Sequence, residues 1–219
     1  MGRNGFRPIF FFRQETLRMI RTVVSDLGNV LLRFDHMRAC HGIARMSPGS
    51  PQEIYDSMFG SNLVTDYELG RISSSEFAQG CAERLDLDVG VDAIRHIWSD
   101  IFHPVEGMEE LIRSLKGHYT LVLLSNTNEW HFEHCREKYP VVNLFDHHAL
   151  SYRVGWRKPD PLIYEKALAM ANGLPEETLY FDDIPAYVEA ARELGWKGIC
   201  FKDRDQVTRE MKAEGMSCP

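Results

Sequence analysis

The sequence predicts an α/β protein: a Rossmann-like, doubly wound parallel sheet with a helical domain inserted after the first strand. Three observations predict it. Short apolar runs near residues 23–25, 121–124, 178–181 and 199–201 have the length and β-branched or aromatic content of buried strands. From residue 105 onward these runs alternate with amphipathic helical patterns over short connections, the order that gives a parallel sheet with helices on both faces. Residues 34–102 break the alternation and read as helical throughout.

The composition sets the frame for those elements. A chain of 219 residues accommodates one large domain or a core with a smaller insertion, and suffices for a sizeable core. A hydrophobic fraction of 44% and a charged fraction of 26% exclude a disordered chain. The net charge of −7 argues against a general affinity for nucleic acid or an anionic membrane. Five scattered cysteines form no Cys-x-x-Cys pair, which points to reduced thiols and a cytoplasmic location, with no disulfide framework or structural zinc. No apolar run approaches the roughly 20 residues needed to span a bilayer.

In chain order, residues 1–18 are a basic and aromatic arm, too short in apolar run for a signal peptide, and Met19 is an alternative start. The first strand runs into Ser25-Asp26-Leu27-Gly28-Asn29, an acidic strand end followed by turn formers. Residues 35–102 are expected to form the inserted cap. Pro51 opens one helix, and Ser73-x-x-Glu76 is a capping box, with Phe77, Cys81 and Leu85 on one face behind it. Ile94, Ile97, Trp98 and Ile101 make a further apolar stripe.

The core is expected to comprise residues 19–34 and 103–219. Met108, Leu111, Ile112 and Leu115 line a helix that Gly117 ends. A strand then closes on Ser125-Asn126, a helix begins near Asn128, and residues 148–152 are expected to be a strand. Asp160-Pro161 is an N-cap and first-turn pair. The strand at 178–181 ends in Asp182-Asp183, and a helix carrying Tyr187, Ala190, Ala191 and Leu194 follows. Residues 199–201 close the sheet before a polar helix from about Arg204.

The carboxyl ends of parallel strands are where ligands bind in such sheets, and Asp26 sits at one of them. Asp182 and Asp183 add two adjacent carboxylates, which repel unless a cation or proton relieves them. Magnesium takes one or two carboxylates together with water and phosphate oxygens, a shell that Asp26 and one of the pair supply. Ser125 and Asn126 offer a hydroxyl and an amide for phosphate oxygens, and Lys158 a compact positive charge. Taken singly, each has a plainer reading as a cap, a turn or a solvated loop residue. His131, His134 and Cys135 lack a further ligand that would complete a metal site and read as core or surface residues.

In this order and at these strand ends, Ser25-Asp26-Leu27-Gly28-Asn29-Val30, Leu124-Ser125-Asn126, Val154-Gly155-Trp156-Arg157-Lys158-Pro159-Asp160 and Tyr180-Phe181-Asp182-Asp183 resemble the four motifs of the haloacid dehalogenase superfamily. The resemblance implies that Asp26 is a nucleophile forming an aspartyl-phosphate and also a metal ligand. It implies that Gly28 gives its carbonyl to the metal. Ser125, with Asn126, would bind the phosphoryl group, and Lys158 would neutralise nucleophile and phosphate. Asp183 would ligate Mg2+ directly and Asp182 through water.

One position departs from the pattern. Most phosphatases of this superfamily carry a general acid two residues after the nucleophile, where this chain has Gly28. The Asp-Leu-Gly-Asn form and Tyr67-Glu68-Leu69-Gly70-Arg71-Ile72-Ser73 resemble a subgroup that includes bacterial α-D-glucose-1-phosphate phosphatases. Asp35 and His36, leaving the first strand, are the candidates to replace the acid. The expected activity is a magnesium-dependent phosphomonoesterase acting on a small phosphorylated metabolite, with no nucleic-acid or membrane partner, as a monomer or homodimer. The alternatives are a metal-independent dehalogenase-type hydrolase and a non-catalytic binding module.

Overall fold

A computed structural model describes residues 19–218; the arm assigned to residues 1–18 lies outside them. The chain runs β1 (Thr22–Ser25), β2 (Leu32–Phe34), then α1 (His36–Ile43), α2 (Pro51–Phe59), α3 (Asn62–Glu68), α4 (Ser74–Leu85) and α5 (Val91–Ser99). β3 (Phe102–Pro104), α6 (Met108–Leu115), β4 (Thr120–Ser125), α7 (Glu129–Lys138), β5 (His147–Leu150) and α8 (Ser151–Val154) follow. The chain finishes with α9 (Pro161–Met170), β6 (Thr178–Asp182), α10 (Pro185–Glu193), β7 (Lys197–Cys200) and α11 (Arg204–Ala213).

The main sheet has the order β5-β4-β1-β6-β7, with all four pairings parallel. Period-two alternation splits its side chains between two cores. Val23, Leu121, Leu123, Leu179 and Phe181 pack with Met108, Leu111, Phe132, Val207 and Met211. Val24, Val122, Leu124 and Tyr180 pack with Ile163, Tyr164, Ala167 and Ala191 on the opposite face. Each large apolar side chain so buried contributes about 1.5–3 kcal/mol, which the two-sided burial applies to nearly every strand position. The doubly wound class is therefore the one observed.

Five helices fill the interval between β2 and β3, which pair antiparallel in a two-stranded ribbon that draws both ends of the insertion together. The insertion has its own core, including Ile54, Met58, Tyr67, Phe77, Cys81, Ile94 and Trp98, and Trp130 of α7 belongs to the same cluster. Local chemistry fixes the helix starts. Ser50 with Glu53 and Ser73 with Glu76 form reciprocal capping boxes. Asn128 accepts from the His131 N–H, and Asp160 accepts from that of Leu162 ahead of Pro161.

Two expectations need correction. The strand placed at residues 148–152 occupies His147–Leu150, and the chain turns into α8 at Ser151. The Ser151 hydroxyl accepts from Thr127 N and donates to Thr127 O, both at 2.9 Å, so it is anchored to the loop beyond β4 and leaves the ladder. The ribbon of β2 and β3 was not foreseen, because three residues are too few for a period-two pattern. Among the described residues no helix is long and apolar enough to cross a membrane, and all five cysteines are free.

Candidate active site

The three central strands, β4, β1 and β6, end side by side and carry Ser125, Asp26 and Asp182. The register pairs Ser25 with Leu123 and with Phe181, so Asp26 and Asp182 come out level, one residue beyond the paired positions. Lys158 arrives from the loop after α8 and lies between these two carboxylates. Its Nζ is 2.7 Å from Asp26 Oδ1 and 2.6 Å from Asp182 Oδ2. Lys158 is 3% exposed and Asp182 fully buried, so the ammonium is held away from solvent. The face of the Tyr187 ring lies 5.1 Å from the same nitrogen.

Two residues with no role in the sequence reading hold this arrangement. The Tyr180 hydroxyl donates to Asp182 Oδ2, and the Ile184 N–H donates to Oδ1 at 2.8 Å. Tyr180 stands two residues before Asp182 on a strand and so shares its face, a spacing that makes the contact legible in principle. Asn29, at φ 54°, donates from Nδ2 to Asp183 Oδ2 at 3.2 Å. Asp182 thus has three donors on its two oxygens, whereas the half-buried Asp183 accepts from one other side chain, Asn29.

The carboxylates of Asp26, Asp182 and Asp183 place one oxygen each within 4.8 Å of one another. It is the sole such cluster among the described residues. Burial pushes the Asp26 carboxyl up to about 7; Lys158 pulls it down, and neighbouring Asp182 raises it further. Asp183 is also raised, by burial and then by Asp182. Lys158 is raised despite burial because both carboxylates stabilise its charge. One ammonium cannot balance three carboxylates, and an all-oxygen donor set with surplus negative charge fits a hard divalent cation.

Gly28 lies at the turn after Asp26. A Cβ there would sit 2.7 Å from Phe34 Cε1 and 3.2 Å from its Cδ1. The ring of Phe34 therefore occupies the direction that an acid at this position would take. Both proposed replacements make contacts of their own. The Asp35 carboxylate caps α1 by accepting from Met37 N at 2.9 Å. His36 packs among Phe34, Phe59 and Trp98, and burial lowers it to about 4, so it is neutral near pH 7.

Ser125 is buried at the end of β4, the strand next to β1. Asn126 differs from expectation in what its side chain touches. Its Oδ1 accepts from Lys158 N at 2.7 Å, and its Nδ2 donates to Lys158 O at 3.0 Å. Both ends of the amide thus clamp the backbone of the lysine, and Nδ2 also donates to the Tyr187 hydroxyl at 3.4 Å. His131 is a core residue, accepting at Nδ1 from Asn128 and donating from Nε2 to Trp98 O, as the core reading anticipates.

Similarity to known proteins agrees with this geometry. The chain is 25% identical over 186 residues to D-ribitol-5-phosphate phosphatase of Bacteroides thetaiotaomicron, covering 82% of this chain and 90% of that protein. A phosphatase of Mycobacterium tuberculosis is 28% identical over 211 residues, covering 90% and 95%. A solved haloacid dehalogenase family enzyme of B. thetaiotaomicron, in complex with magnesium and inorganic phosphate, superposes with a TM-score of 0.77 at 27% identity, covering 84% of this chain and 95% of that one. Residues 20–195 match the family model of the haloacid dehalogenase-like hydrolases, and the chain belongs to that family.

Proposed function

We propose that the protein is a magnesium-dependent phosphomonoesterase of a small phosphorylated metabolite, a sugar phosphate such as glucose 1-phosphate. The observation that carries the proposal is the buried Asp26–Lys158–Asp182 triad beside Asp183. Asp26, the Gly28 carbonyl and Asp183 would hold the cation, with Asp182 contributing through water. When bound, Mg2+ offsets charge on the phosphoryl group and on the carboxylates. Two phosphatase relatives and the magnesium and phosphate complex support this choice over a metal-independent halide hydrolysis, which has no use for a third acid at Asp183.

The chain's own residues divide the work. Asp26 attacks phosphorus and carries the phosphoryl group as an acyl phosphate, while Lys158 neutralises charge on nucleophile and phosphoryl oxygens. Ser125 binds a phosphoryl oxygen, and Asn126 acts by fixing Lys158. Water then releases phosphate from Asp26. No side-chain acid stands at Gly28, so the departing alcohol must leave with little help, and an anomeric oxygen leaves more readily than a primary one. Residues 35–102 form the cap that admits the alcohol portion, and the free cysteines suit a cytoplasmic enzyme.

The test is Asp26→Asn, which keeps shape but removes the attacking charge. Magnesium-stimulated phosphate release should fall to background with an unchanged circular dichroism spectrum. Substantial turnover by a folded Asp26→Asn protein would refute the aspartyl-phosphate route.

A further inference from the structure

The segment 67–74 of the insertion has no part in the chemistry above, yet it touches the core at the start of α7, beyond Ser125-Asn126, and along the stretch that leads to Lys158. The Tyr67 hydroxyl accepts from Trp130 N at 3.2 Å, at the start of the helix that follows Ser125-Asn126. The same hydroxyl shares a 2.7 Å hydrogen bond with Ser74 Oγ, which in turn donates to the Glu129 carboxylate. Gly70, at φ +65°, lies flat on the Tyr152 carbonyl; an added Cβ would be 2.1 Å from that oxygen. Only a residue without a side chain allows the approach.

The fourth contact differs in kind, because it is ionic and adjoins the lysine. Glu68 Oε2 lies 3.3 Å from Arg157 Nη2, with side chains 17% and 34% exposed. Arg157 Nη1 also reaches Thr65 Oγ1 at 3.4 Å. Arg157 is followed directly by Lys158, whose backbone Asn126 grips from the other side. The loop that delivers the ammonium to Asp26 and Asp182 is thus held at two points. One is the amide of Asn126 in the core, and the other is the insertion, through the Glu68 carboxylate and the Thr65 hydroxyl.

We infer that Glu68 and Arg157 are positioning residues that couple docking of the helical insertion to the placement of Lys158. When the insertion is seated, the ion pair fixes the loop and Lys158 stands in register with nucleophile and phosphoryl group. When it lifts, the loop loses one of its two anchors and the ammonium is held less well. Turnover is thereby tied to the seated state, in which water other than the attacking one is kept out. The inference rests on the phosphatase reading.

The experiment measures kcat and KM of the full-length protein on an aryl phosphate with magnesium, together with inhibition by inorganic phosphate and thermal stability. Glu68→Gln and Arg157→Gln should each lower kcat about tenfold, within the range that couplings between two sites span. The double variant should be no slower than the slower single one, because both remove the same link. Exchanging the charges, Glu68→Arg with Arg157→Glu, should recover part of the loss, and Arg157→Lys should retain most of the activity. A merely structural pair would lower the melting temperature and leave kcat of the folded fraction unchanged, and that result overturns the inference. Additive losses, or no loss, in variants that stay folded overturn it too. If the wild-type protein releases no phosphate, the phosphatase reading itself fails and takes the inference with it; wild-type turnover separates the two failures.

Discussion

Restoring an acid at position 28 tests the most specific departure of this site. A Cβ on Gly28 lands 2.7 Å from Phe34 Cε1, whereas carbon atoms in contact prefer about 3.5–4.0 Å, so the ring must yield about 1 Å. It has little freedom to do so, lying 5.0 Å from the His36 ring and 6.2 Å from Phe102, its partner across the ribbon. Overpacking of this kind costs about 1–3 kcal/mol. In a chain of this size that lowers the melting temperature by about 2–4 °C per kcal/mol. Gly28→Asp alone should therefore be less stable and gain little activity on alkyl phosphates. Adding Phe34→Ala makes room for the new side chain at its own packing cost, so the double variant should lose less than the sum of the two single losses, a double-mutant coupling of opposite sign to them. The relieved carboxyl should then supply general acid catalysis, typically worth about 10²–10⁴-fold, mostly on poor leaving groups. Across aryl phosphates of graded acidity, log kcat/KM should rise steeply for the wild type and less steeply for the double variant. A Gly28→Asp protein as stable as wild type, or a flat wild-type dependence with chemistry limiting, would refute the reasoning.

Other outcomes follow from the same geometry. Asn126→Ala removes two hydrogen bonds to the Lys158 backbone, each worth about 0.5–1.5 kcal/mol, and should reduce kcat/KM by about 5–100-fold in a folded protein; an unchanged rate would separate this clamp from catalysis. Chelation should abolish turnover, and Asp183→Ala should raise the magnesium concentration needed while sparing the fold; Asp182→Ala should also lower stability, because it strips Lys158 of a buried partner. Burial holds His36 near 4 and His131 near 3, against 6.5 when unfolded. The unfolded chain therefore takes up these protons first, and their contribution, complete above pH 6.5, is lost as pH falls toward 4. Urea melts between pH 7 and 5 should show a mean slope about 0.9 kcal/mol per pH unit shallower for His36→Phe than for wild type, and parallel curves would contradict the neutral assignment.

What the sequence disclosed was mostly local or periodic. Apolar runs that stop on Asp26, Ser125 and Asp182 marked both the strands and the edge where the site lies. Ser73-x-x-Glu76 and Asp160-Pro161 marked helix starts because a cap acts over three or four residues. Pairing through space was not disclosed. Lys158 and Asp26 stand 132 positions apart, and nothing near a lysine before proline says that it is buried. Asn126 offered an amide to whatever came near, and the fold brought it the Lys158 backbone. Phe34 reads as the end of a strand, and only the ribbon with β3 turns its ring over Gly28.

The triad is better understood as placement than as stability. Desolvating three charges costs several kcal/mol each, and mutual attraction recovers that only with satisfied hydrogen bonds, so well-packed apolar residues would serve a fold at least as well. Here the satisfaction is thorough around Asp182, with the Tyr180 hydroxyl, the Ile184 N–H and the Lys158 ammonium. Asp26 keeps one side-chain partner, Lys158, and is pushed toward neutrality by burial. The asymmetry has a chemical sense. A carboxylate engaged by several donors is a poor nucleophile, whereas one that accepts only from the Lys158 ammonium and the Leu27 backbone keeps lone pairs for a cation and for attack. On the proposed function, Asp182 would serve as the fixed counter-charge that sets Lys158 in place, and Asp26 as the group left reactive. The same distinction separates Asp182 from Asp183, whose single contact to Asn29 leaves oxygen lone pairs for a cation. The proposed division of duties among the three acids thus follows how thoroughly each is already hydrogen-bonded.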